Sequence, residues 1–181
     1  MTKVNRWEEY CETTYNSLRA NVHNWGKPEY ERPITRIFYI GVFDSGLPHH
    51  TGFISEAAYE NKLNKKKVVH DHYLSPQFVG RMILDNSEKY LENFELFRNM
   101  FWNCCATIVV TAEENIRLSK LTDNSGGSYQ IKVPTNEKYN HLGIQLYKRP
   151  ENKTGWKSAR PTDEAIFYPE DLIEYEKKFL I

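Results

Sequence analysis

The chain of 181 residues has little cysteine, no excess of charge of either sign and no long apolar run. Cys11, Cys104 and Cys105 are an odd count with two adjacent, and no CxxC pair occurs. That pattern is a poor disulfide framework and excludes a four-thiolate zinc site, so buried reduced thiols and no structural zinc are expected. Lys and Arg (24) balance Asp and Glu (24). The balance excludes a uniformly polycationic coat for nucleic acid while leaving room for a local basic face. The apolar stretch around Ile108 to Val110 falls far short of the roughly 20 residues a membrane span needs. The opening MTKVNRWEEY lacks the apolar segment of a signal peptide. A protein outside the membrane, in the cytoplasm, is the expectation. No internal repeat or low-complexity tract is visible.

Hydrophobic residues make up 40% of the chain and aromatic ones 14%. A chain of this length buries roughly 70% of its unfolded surface and needs neither disulfide nor metal to hold a core. Trp7, Tyr10, Cys11, Tyr15, Leu18 and Val22 recur every three or four residues, which predicts a helix from Thr2 to Asn24. Gly26, Pro28 and Pro33 break it. ITRIFYIGVF, from Ile34 to Phe43, is β-branched and aromatic and reads as a strand, with a loop from Asp44 to Gly52. A helix is expected from Ser55 to Lys66 and a short strand from Lys67 to Leu74. Ser75-Pro76 supplies a cap and a first-turn proline for a helix through Leu84. A second helix from Ser87 presents Tyr90, Leu91, Phe94, Phe97, Phe101 and Trp102 on one apolar face.

ATIVVT, from Ala106 to Thr111, is the clearest buried strand. Thr111 and Glu114 have the spacing of a capping box for the helix that follows, and residues from Asn124 to Gly127 stop that helix. Ser128 to Leu146 reads as strands around Pro134 to Asn140. Residues 148–161 are irregular and basic, and a closing helix runs from Pro169 to Ile181. The fold class is therefore α+β. Three regions are expected, 1–66, 67–122 and 123–181, packed as one compact unit.

His70-Asp71-His72 is the densest group of ligand and base types in the chain. A carboxylate is a hard oxygen ligand suited to Mg²⁺, and a neighbouring imidazole can deprotonate water near neutral pH. Adjacent residues of an extended strand point to opposite faces, so the strand should end or twist at His72 if both residues serve one site. Farther along, VVTAEENIR carries Asn115 in the first turns of a helix, where an amide oxygen could complete a metal's coordination.

Taken together these features resemble the HNH, or His-Me finger, nucleases. Their ββα-metal core is a strand ending in Asp-His, a loop, a second strand and a helix. Val109 to Arg117 is similar to the string that phage homing endonucleases carry at the second strand and helix. HDHYLSPQFVGRMILDN looks like the corresponding segment of recombination endonuclease VII relatives. The resemblance covers about Val68 to Lys120, with a helical insertion between the strands and flanking helices and strands.

The resemblance implies that Asp71 and Asn115 are metal ligands and that His72 is the general base, with His70 as the alternative base or a further ligand. The middle Asn that orients the base normally stands nine residues before the helix Asn, where this chain has Ala106. Asn103 and Asn86 are the substitutes. Metal-assisted phosphodiester hydrolysis with Mg²⁺ or Mn²⁺ is implied, on double-stranded DNA, by a homodimer in a bacterial or phage-infected cell. Restriction or junction-resolving cleavage on the same core, and a non-catalytic DNA-binding relative, are the alternatives.

Phosphate contacts are expected from local charge. Lys132 to Arg160 holds seven Lys and Arg against two acids, with Tyr139, Tyr147 and Trp156 interleaved. Lys148, Arg149, Lys153, Lys157 and Arg160 are the candidates there. Lys62, Lys65, Lys66 and Lys67 form a second patch, and Arg81 and Arg117 are candidate phosphate clamps. His49-His50 is expected in an exposed polar turn, with His23 and His141 structural.

Overall fold

A computed structural model describes residues 3–45, 49–123 and 129–181. In chain order its elements open with α1 (Lys3–Asn21), α2 (Pro28–Asp44), β1 (His49–Ser55), α3 (Glu56–Leu63) and β2 (Val69–His72). There follow α4 (Pro76–Asp85), α5 (Ser87–Tyr90), α6 (Phe94–Cys104), β3 (Ala106–Val110) and α7 (Ala112–Ser119). The remainder is β4 (Thr122–Asp123), β5 (Gln130–Ile131), α8 (Lys138–His141), β6 (Leu146–Lys148), β7 (Arg160–Pro161) and α9 (Glu170–Glu176). The chain is mixed α and β. Among the described residues, no helix is long and apolar enough to cross a membrane.

Two compact units form, each from two stretches of chain: Met1–His49 with Leu74–Ala106, and His50–Tyr73 with Thr107–Ile181. The first, unit 1, is helical. Here the expected strand from Ile34 to Phe43 is corrected: it is the body of α2. Ile34, Phe38, Gly41 and Val42 are its buried residues, a spacing of three to four that a strand cannot present to one side. Strand propensity is a weak preference that burial on a helical face overrides.

Close helix approach explains two glycines in unit 1. A Cβ on Gly41 would stand 2.0 Å from Thr14 Oγ1 on α1, and one on Gly80 of α4 would stand 3.0 Å from Phe38 Cβ. The expected long helix from Ser87 is broken between Tyr90 and Phe94. Asn93 caps the second piece by accepting from the Leu96 N–H at 3.1 Å, and the Leu91 carbonyl at the break accepts from Tyr15 Oη at 2.9 Å. Phe38, Phe97 and Phe101 meet edge-on or tilted at 5.7–6.1 Å between centroids. Cys11, Cys104 and Cys105 are buried in this unit as thiols outside any disulfide, and burial pushes the Cys11 thiol up to about 12.

Unit 2 carries a five-stranded sheet in the order β2-β3-β1-β6-β7. β2 and β3 are antiparallel, with Val69 opposite Val110 and His72 opposite Thr107. β1 is antiparallel to β6, and β6 to β7. The expected loop from Asp44 to Gly52 runs into β1, which begins at His49 and pairs Phe53 to Ser55 with β6. Between β5 and β6 the expected strands give way to a 3-10 turn (Thr135–Glu137) and α8. Pro134 lacks an N–H for a ladder, which favours this outcome. α9 is shorter than the expected closing helix, and the stop from Asn124 to Gly127 lies outside the described residues.

Candidate active site and nucleic-acid interface

Thr111 follows β3 and caps α7 with the capping box that the sequence indicates. Its Oγ1 accepts from the Glu114 N–H at 3.1 Å, and Glu114 Oε2 accepts from the Thr111 N–H at 2.8 Å. The same Oε2 accepts from Ser55 Oγ at 2.6 Å. Ser55 in turn caps α3 by accepting from the Ala58 N–H at 3.1 Å. One buried carboxylate thus ties the starts of two helices together. Thr111 and Glu114 are absorbed by this structural task, while Asn115 is half-buried one position later.

From that start α7 packs against β2, the strand that carries His70, Asp71 and His72. β2 ends at His72, as the sequence requires of a site using adjacent residues. His70 is exposed and His72 half-buried. Asp71, opposite Ile108, is held by two partners that sequence reasoning did not assign to it. Its Oδ2 accepts from Lys138 Nζ at 2.8 Å and from Tyr139 Oη at 2.5 Å. Lys138 Nζ donates as well to the Tyr73 carbonyl at 3.0 Å and to the His72 carbonyl at 3.4 Å. It lies 5.5 Å from the Tyr73 ring centroid and 5.1 Å from that of Tyr139. Side-chain exposure is 12% for Lys138 and 14% for Asp71, so the pair is largely removed from solvent. Burial, with the Asp71 charge adding to it, holds the Tyr139 hydroxyl well above its usual range.

The sequence offers no signal for this arrangement. Lys138 and Asp71 are 67 positions apart, and α8 is a single turn that periodicity cannot announce.

Asn115, Asp71, His72 and His70 therefore share unit 2, with α7 against β2. Asn86 and Asn103 belong to unit 1. Asn86 ends α4 and donates from Nδ2 to the Met82 carbonyl at 2.8 Å, and Asn103 lies in α6. Arg81 is also in unit 1, where it faces Glu31 at 3.6 Å and Asp85 at 4.0 Å and lies 5.6 Å over the Trp25 ring. Arg117 is exposed on α7 and donates to the Leu142 carbonyl at 2.7 Å. The side chains of His49 and His50 lie outside the described residues. His23, whose ring nitrogen is 3.0 Å from Asn24 Nδ2, and His141 are exposed. Among the described residues, no group of three or more His, Cys, Asp or Glu could hold a metal ion.

The two basic stretches converge in unit 2. α3 packs on β6 and on the 3-10 turn Trp156–Ser158. Ile54, Ala58, Val109 and Ala159 form the buried cluster beneath, with Tyr59, Val68, Tyr147 and Trp156 packed around it. Lys62, Lys65, Lys66 and Lys67 leave the end of α3, and Lys153, Lys157 and Arg160 flank Trp156; all are exposed. Lys148 is paired with Glu164 and lies over Phe53. Arg149 stacks over Trp156 at 4.9 Å and donates to the Thr154 carbonyl at 2.9 Å. These two cations support the fold, as does Arg160, whose Nη1 donates to the Lys157 and Ala159 carbonyls at 3.2 and 2.8 Å; the six lysines are exposed. Compared with protein-family models, with curated proteins and with solved structures, the chain shows no match.

Proposed function

We propose that this chain is a divalent-metal-dependent DNA endonuclease of the His-Me finger type, of the phage homing kind. The observation that supports it is the path through unit 2. An antiparallel strand pair, whose first strand ends in Asp71-His72, runs into a capped helix that carries Asn115 and packs back on that first strand.

A carboxylate and an amide oxygen are hard donors of the kind Mg²⁺ or Mn²⁺ takes. The surroundings of Asp71 already accommodate a positive charge, since Lys138 Nζ stands there on one carboxylate and two carbonyl oxygens. Asp71 and Asn115 would hold the ion, which when bound supplies charge that stabilises the phosphate and the departing 3′ oxygen. His72, at the strand end, takes the proton from the attacking water, with His70 as the alternative base. Lys65, Lys66, Lys67, Lys153, Lys157 and Arg160 hold the DNA backbone by charge. Cutting both strands with one such site needs two copies, so a homodimer on duplex DNA belongs to the proposal.

A second reading, a DNA-binding relative without catalysis, is favoured by the Lys138 and Tyr139 bonds that already engage Asp71. Long duplex DNA incubated with the protein and Mg²⁺ separates the two. Nicks or breaks that vanish in His72→Ala, with DNA binding retained, support the endonuclease. Retention of DNA without cleavage across Mg²⁺, Mn²⁺ and Ca²⁺ supports the second reading and overturns the first.

A further inference from the structure

Lys138 is a cation tethered at the carboxylate that the proposed function assigns to a metal. Its ammonium has an oxygen shell of its own, from Asp71 Oδ2 at 2.8 Å, the Tyr73 carbonyl at 3.0 Å and the His72 carbonyl at 3.4 Å. The faces of Tyr73 and Tyr139 flank it at 5.5 and 5.1 Å. Carbonyl and carboxylate oxygens with aromatic faces on the sides are a set that stabilises positive charge. Tyr139 Oη adds a hydrogen bond at 2.5 Å on the same Oδ2. Both partners thus load one oxygen of the carboxylate.

From this geometry we infer that Lys138 is an internal competitor for the metal. Its ammonium and a divalent cation contend for Asp71, so ion binding requires Lys138 to leave the carboxylate. The inference rests on the reading of Asp71 as a metal ligand and adds regulation to that site. Two positive charges sharing one largely buried carboxylate repel, and the effect is strong because screening by water is weak there. A DNA phosphate arriving with its own charge offers the displaced ammonium a new partner. Metal and DNA should then bind each other's complexes more tightly than they bind the free protein.

The test is Mn²⁺ titration of the full chain without DNA, with free Mn²⁺ read by its electron paramagnetic resonance signal. Lys138→Met and Lys138→Gln should bind Mn²⁺ about tenfold more tightly than wild type, as expected for removing one competing charge. Lys138→Arg, which keeps the charge, should stay near wild type. Adding Asp71→Asn to Lys138→Met should abolish the gain. A purely structural lysine moves none of these affinities upward. Circular dichroism identifies which variants are folded, and Gln stands in for Met if Met disrupts the turn. Folded variants that bind no more tightly than wild type overturn the inference, whatever the cleavage assay gives. Tighter Mn²⁺ binding without DNA cleavage sustains the inference and removes the endonuclease reading instead.

Discussion

Unit 1 and unit 2 bury different chemistry. The largest fully buried side chains of unit 1 include Phe38, Phe78, Phe97 and Phe101, whereas those of unit 2 are Ile54, Ile108 and Ile131. The buried carboxylates show the reverse: Glu114 and Glu176 are both in unit 2. Glu114 joins Ser55 and Thr111, and Glu176 accepts from the Thr135 backbone at 3.1 Å and from its hydroxyl. Apolar burial is non-directional and fixes helices by shape. Charge-assisted hydrogen bonds fix individual atoms. Side chains that must hold a defined angle to a substrate are better served by the second arrangement, and the candidate site lies in the unit that uses it.

The largest effect should come from the rings. Phe101→Ala removes a fully buried side chain that contacts Trp7, Phe38 and Phe97, and should cost about 3–5 kcal/mol. Urea unfolding followed by tryptophan fluorescence measures it. A loss below about 1 kcal/mol would mean that unit 1 is not held by its aromatic core. Next comes Glu114→Ala in unit 2, which leaves the Thr111 N–H and the Ser55 hydroxyl without their acceptor. About 1–3 kcal/mol is expected. Combining it with Ser55→Ala should cost less than the two single losses added, because the residues share one bond. Strict additivity in a double-mutant cycle would dissolve the idea of a linked pair of caps.

Alkaline pH should distinguish the units by the groups they bury. In unit 1 burial raises the Cys11 thiol from 9.0 to about 12. The unfolded chain ionises first, so the stability this protonated thiol contributes is complete below pH 9 and is lost as pH rises toward 12. In unit 2 burial raises Tyr73 and Tyr139 above their ordinary 10.0, so their loss begins about one pH unit later. Denaturant midpoints in steps through this range, read by tryptophan fluorescence and by phenolate absorbance, check the order. Buried tyrosines that form phenolate before any unfolding would contradict it.

Local punctuation was legible in the sequence, and partnership across the chain was not. The Thr111–Glu114 box, the Ser75 cap and the end of β2 at His72 depend on neighbours within a few residues, and each is found. ITRIFYIGVF reads as a strand because its β-branched residues favour one locally, while Gly41 against Thr14 and Phe38 against Gly80 are helix contacts visible only in three dimensions. Asp71, His72 and Asn115 are grouped in the sequence by the resemblance to His-Me finger nucleases. Lys138 and Tyr139, which hold Asp71, are not. They sit in a one-turn helix after a proline-bounded segment, and nothing in a charge count separates Lys138 from the exposed lysines around it.

The smallest stability effect belongs to those exposed lysines, and it should accompany the clearest binding effect. Lys66→Ala and Lys157→Ala remove exposed cations that enter no ion pair among the described residues, so unfolding free energy should stay within about 0.5 kcal/mol of wild type. If each cation contacts a phosphate, its loss should reduce the slope of log affinity for duplex DNA against log salt by about 0.9. Arg36, as exposed on α2 of unit 1, is the control, and Arg36→Ala should leave that slope unchanged. Counterion release counts phosphates neutralised and is blind to overall charge, so the comparison isolates contact from mere basicity. Equal flattening by Arg36→Ala would mean that DNA does not distinguish the units. The convergence of the two lysine stretches around Trp156 would then be a feature of folding alone.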